Sequence, residues 1–166
     1  MLQMTLILIA LLTAAAFLMA RTRATASVSG ARMADLHSRP FYHGFYAALW
    51  VAIAGLATTA LAAGIGGALM ESVLVSSIVS AAPDASAIQV ELILSDAIAI
   101  ANGGIASSTD ELRVAIAADY GSMESTRVWA TVILGTGAAL LALLVTLRQI
   151  NRDWRARNRA ERVISG

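Results

Sequence analysis

The stretch DLHSRPFYHGFYAALW, residues 35–50, carries both histidines of the chain, an arginine and a proline ahead of a long apolar run. Histidine serves as acid, base or metal ligand and arginine grips phosphate, so the chemistry to consider is proton transfer, metal binding or nucleic-acid recognition. The spacing argues against all three. His37 and His43 are six residues apart, whereas one helical face needs three or four, and no cysteine or carboxylate cluster accompanies them. A site needs converging partners, so no catalytic residue, metal ligand, cofactor or nucleic-acid contact is expected. Instead, His37, Arg39, Pro40, Tyr42, His43, Gly44, Tyr46 and Trp50 read as an interfacial motif where the chain meets a lipid bilayer. Pro40 starts the turn, Arg39 lies near lipid phosphates, and Tyr42, Phe45, Tyr46 and Trp50 form an aromatic belt.

Two other patterns invite a chemical reading. GIGG, residues 64–67, resembles a phosphate-cradling loop, but no lysine follows, no strand precedes and the motif lies inside an apolar run. Ala60, Gly64 and Ala68 instead form a small-residue ridge at spacing four, and Thr131, Gly135 and Ala139 form another, each suited to close helix packing. The acids between residues 71 and 124 lack the alternation and central glycine of a calcium loop, so they read as a solvated acidic surface.

Composition supplies the elements that must position these residues. Of 166 residues, 58% are hydrophobic and 14% charged, too apolar for one ordinary soluble domain. Mean hydropathy is +0.71. Cysteine is absent, which removes disulfides and thiolate chemistry. Three uncharged runs, residues 2–20, about 45–70 and about 128–147, match the roughly 20 helical residues that cross a bilayer. The first is not read as a cleaved signal, because no positive charge precedes it and Arg21 and Arg23 follow it, the reverse of a signal's polarity.

All twelve positive charges are arginines, and they fall four, two and six into three segments. Arg21, Arg23, Arg32 and Arg39 face only Asp35 between the first two spans, which makes that loop cytoplasmic. Eight acids face only Arg113 and Arg127 between the second and third spans, which puts that segment outside. The tail has six arginines against Asp153 and Glu161, which returns it to the cytoplasm. The expected order is transmembrane helix 1–20, basic cytoplasmic loop 21–43, transmembrane helix 44–70, external periplasmic segment 71–127, transmembrane helix 128–147 and arginine-rich cytoplasmic tail 148–166. The N-terminus is thus outside and the C-terminus inside.

The external segment keeps a helical period. ESVLVSSIVSAA prolongs the second span, Pro83 interrupts, and DASAIQVELILSDAIAIA forms a helix closed by Asn102, Gly103 and Gly104. SSTDELRVAIAADYG restarts one, with Ser108 as cap and Glu111 completing a capping box. The fold expected is an all-α membrane protein of three transmembrane helices, with an external helical hairpin between the second and third.

On these residues rests a family resemblance. LHSRPFYHGFYAALW resembles the N-terminal signature of phosphate ABC-transporter permease subunits of the PstC type, and RNRAERVI, residues 157–164, is similar to the stretch just before their permease core. The resemblance implies phosphate import in a bacterial cytoplasmic (inner) membrane. Its implied partners are a permease core, a second permease subunit, ATPase subunits and an external phosphate-binding protein. The 166 residues are then expected to be the membrane region ahead of that core, truncated or separately encoded, with residues 148–166 as linker. No family phosphate-handling residue falls on a position of this sequence. The reading from another class is a membrane-anchored signalling input module, with the external helical segment as sensor.

Overall fold

The computed structural model describes residues 2–26 and 40–149, and every regular element among them is helical. α1 covers Leu2–Ala26, α2 Pro40–Ala81, α3 Ala87–Ala101 and α4 Glu111–Gln149. α1, α2 and α4 are each long and apolar enough to cross a membrane. The fold is all-α, with three candidate spans and, among the described residues, no strand. His37, Arg39 and the tail 150–166 lie outside the described residues.

Helix lengths say where apolarity ends and helix does not. The 42 residues of α2 measure about 63 Å at 1.5 Å per residue, against a hydrocarbon core of about 30 Å. The 39 residues of α4 measure about 58 Å. Glycines 64, 66 and 67 leave α2 unbroken, since glycine within an apolar helix still donates and accepts its backbone hydrogen bonds.

By contact the chain divides into two compact units, Met1–Ala60 with Thr131–Gly166, and Leu61–Ala130, so α2 and α4 contribute to both. In the first unit the core is a seam of small side chains. Ala16, Ala20 and Ala24 of α1 meet Tyr46, Ala47 and Val51 of α2 and Ala139 and Leu143 of α4. Large apolar side chains point outward instead: Leu11, Leu141 and Ile133 are 62%, 64% and 65% exposed. Water would penalise such a surface and lipid does not, so this unit's solvent is hydrocarbon.

The second unit has a core of larger side chains. Leu74 and Ile78 of α2, Val90, Ile93 and Ala97 of α3, and Ile116 and Ala117 of α4 pack together. What the sequence suggests as a two-helix hairpin therefore has a third wall, the end of α2.

The caps differ from the sequence expectation. The capping box forms at α3, where Gln89 N–H donates to Ser86 Oγ at 3.4 Å and Ser86 N–H to Gln89 Oε1 at 2.7 Å. At α4 the cap is Asp110 rather than Ser108: its Oδ1 accepts from Arg113 N–H at 2.9 Å and its carbonyl from Val114 N–H. A carboxylate suits the positive helix N-terminus, and this one also pairs with the Arg113 guanidinium. Gly103 takes φ +71° after α3, a left-handed turn that glycine adopts without steric cost.

Candidate functional site

The seam of the first unit is built by spacing. On α2, His43, Ala47, Val51, Gly55 and Thr59 recur every four residues and all are buried. On α4, Thr131, Gly135, Ala139 and Leu143 do the same. Four-residue spacing aligns side chains in one row along a helix, so each row presents a narrow strip to its neighbour.

Glycine sets how closely the strips approach. A Cβ at Gly135 would lie 2.1 Å from Thr59 Oγ1, and one at Gly55 would lie 3.0 Å from Ile9 Cγ2 and 3.2 Å from the Ala139 Cβ. Thr59 Oγ1 donates to its own Gly55 carbonyl at 2.7 Å, which holds the hydroxyl within its helix and away from lipid. Thr131, Gly135 and Ala139 are thus buried within the chain. Ala60, Gly64 and Ala68 are exposed, and a Cβ at Gly64 would meet no atom within 4 Å. The strip that Gly135 meets on α2 is Gly55 and Thr59, which small-residue spacing alone had not singled out among the many alanines and glycines of that helix.

The described part of the interfacial motif does structural work at the start of α2. Pro40 is the first residue of α2, where its missing N–H leaves no helical bond unmade. Gly44 lets α1 come close, since a Cβ there would lie 2.8 Å from both the Phe17 carbonyl oxygen and Phe17 Cδ2. Phe17 and Phe41 meet edge to face at 5.6 Å, and Tyr46 and Trp50 do so at 6.3 Å. His43 is fully buried and engaged within the fold, Tyr42 is half-buried, and Phe41 and Trp50 face outward. Among the described residues no three His, Cys, Asp or Glu side chains converge as metal ligands would.

The second unit holds its polar groups in a clasp. Asp96, buried in the second half of α3, accepts from Ser107 N–H at 2.8 Å and Ser107 Oγ–H at 2.5 Å, and pairs with Arg113 Nε at 2.8 Å. The Ser107 hydroxyl, then the Ser107 amide and Arg113, hold the Asp96 carboxyl at about 2, well below the usual carboxylate range. This clasp closes the connection from α3 to α4. Arg127 forms a two-pronged pair with Glu124, both bonds 2.7 Å, and its stem lies where a Cβ on Gly66 would sit 3.0 Å from Arg127 Cγ. Glu71, Asp84, Glu91, Glu111 and Asp119 form no ion pair with any described residue, leaving this unit strongly acidic.

Among the described residues the geometry packs helices, caps them and sorts charge. From residue 6 to residue 166 the chain matches a protein family described as phosphate ATP-binding cassette transporter, and it belongs to that family. No curated protein and no solved structure matches it.

Proposed function

With phosphate transport as its family's work, we infer that this chain is the N-terminal membrane region of a phosphate ABC-transporter permease, which helps assemble the import complex and does not itself conduct phosphate. The family match over residues 6–166 is the observation that carries this reading. On the same reading the chain lies in a bacterial cytoplasmic membrane, N-terminus outside, with the acidic segment 71–127 in the periplasm. Its partners are the permease core, the second permease subunit, the ATPase subunits and the external phosphate-binding protein.

The physics supports an assembly role. The apolar spans carry no charged side chain along residues 2–20, 45–70 and 128–147, so they offer no polar path for an anion whose exposure to hydrocarbon is costly. The exposed Ala60, Gly64 and Ala68 leave a smooth strip on α2 for a partner helix. Two measurements test the reading. Sealed vesicles containing this chain alone should show no phosphate uptake, and protein-dependent uptake would contradict it. A permease core supplied in trans should co-purify with the chain and lose it on Gly64→Leu; no co-purification of the parent chain would equally contradict it.

A further inference from the structure

The first unit contains a groove between the start of α2 and the end of α4. Tyr46 and Trp50 line it on one side and Ala142, Val145, Thr146 and Gln149 on the other, around about 260 Å³. That is below the ~300–1,000 Å³ of pockets that enclose a drug-sized molecule, so it suits a length of hydrocarbon chain. The hydroxyl of buried Thr146 is already committed: Thr146 Oγ1 donates to the Ala142 and Leu143 carbonyls at 2.8 and 3.0 Å. The rest of the lining is largely apolar, with an aromatic pair on one side and the exposed Gln149 among the lining residues.

Charge identifies the occupant. Ala16, Ala20 and Ala24 pack with Tyr46 and Leu143, which brings the end of α1, the start of α2 and the end of α4 together. Arg21, Arg23 and Arg148 therefore lie at the same end of the unit as the groove, and no acid is present among this unit's described residues. An apolar groove between membrane helices with arginines at the same end of the bundle is the pattern that receives an anionic lipid headgroup. We propose that the groove between Tyr46–Trp50 and Ala142–Gln149 binds one acyl chain of an anionic phospholipid, with Arg148 on its phosphate and Arg21 and Arg23 strengthening the field. The proposal depends on the membrane-spanning fold and is independent of the transport role.

Tryptophan fluorescence tests it in the full chain. Trp129→Phe and Trp154→Phe leave Trp50 as the sole indole. The protein is placed in vesicles of equal phosphatidylglycerol and phosphatidylcholine, with bromine quenchers on the acyl chains of one lipid or the other. Brominated phosphatidylglycerol should quench Trp50 roughly threefold more strongly than brominated phosphatidylcholine, and Arg148→Gln with Arg21→Gln should bring the ratio toward one. Equal quenching by the two lipids in the arginine-intact protein overturns the proposal. Absence of quenching by either, the outcome if a partner helix fills the groove, overturns it too. The arginine-intact ratio decides the matter even if the substituted protein fails to insert.

Discussion

The unit formed by Met1–Ala60 with Thr131–Gly166 and the unit Leu61–Ala130 draw on the same two long helices, yet their buried clusters are built from different side chains. In the first, the buried seam is mostly alanine, glycine and threonine and most leucines face outward; its described charges are three arginines. In the second, Leu74, Ile78, Ile93 and Ile116 form the core and eight acids and two arginines occupy the helices and loops, while Leu61, Ile65 and Leu69, still within the uncharged run 45–70, face outward as in the first unit. On the membrane reading proposed above, the difference between the seam and the core of segment 71–127 is one of solvent. Where lipid surrounds a helix, exclusion of leucine from water drives nothing, so close backbone contact between small residues must hold the helices. Where water surrounds it, burying large apolar side chains is the driving force again.

The sharpest separation of the two rules comes from cavity formation in the second unit. Ile78 is fully buried there, and Ile78→Ala should cost about 2–5 kcal/mol. Hydrogen exchange on the detergent-solubilised chain should show amides of 61–130 losing protection while those of α1 keep theirs. Loss of protection in both units together would break the comparison.

A smaller effect is expected from overfilling the first unit. Gly135→Ala puts a methyl 2.1 Å from Thr59 Oγ1 and should cost about 1–3 kcal/mol, read as earlier thermal unfolding by circular dichroism. Adding Thr59→Ala should recover part of that loss, because the two sites share one contact. A double variant no better than the sum of its parts would show that the seam is not what Gly135 serves.

The acidic unit should also answer to pH through Asp96. Its carboxyl is lowered from 3.8 to about 2, so its contribution to stability is complete above the unfolded value and is lost as pH falls through about 2. Protection of the 102–110 connection should hold at pH 5 and fall away between pH 4 and pH 2, and Asp96→Asn should remove that dependence. An unchanged profile in Asp96→Asn would assign the acid sensitivity elsewhere. The smallest folding effect is expected at Gly64, whose neighbourhood is open: Gly64→Leu should change stability by less than about 0.5 kcal/mol while weakening association with a permease core.

Much of this fold was legible because apolarity and helical period are local. The uncharged runs 2–20, 45–70 and 128–147 lie within α1, α2 and α4, but the helices extend further, since apolarity marks contact with lipid and hydrogen bonding marks helix. The α3 capping box was available as Ser86 and Gln89 three residues apart, a Ser-x-x-Gln pattern as readable as the one at Ser108. The partner of Gly135 was less accessible. With alanine or glycine at many positions of α2, several registers satisfy the same small-residue spacing, and only the approach of α4 selects Gly55 and Thr59. The Asp96 clasp lay further out of reach, joining residues 11 and 17 positions apart through a loop whose path no local period dictates.

The division between lipid-facing spans and a water-facing segment 71–127 is tested most directly by labelling, because the chain contains no cysteine of its own. Single substitutions Ser95→Cys, Leu141→Cys and Ala156→Cys place one thiol in the acidic unit, one in the outward-facing row of α4 and one in the arginine-rich tail. With a membrane-impermeant maleimide on intact spheroplasts, the thiol at 95 should react at once, the thiol at 156 only after permeabilisation, and the thiol at 141 under neither condition. Labelling at 156 but not at 95 in sealed spheroplasts would contradict the orientation, and ready labelling at 141 would contradict the lipid-facing unit itself.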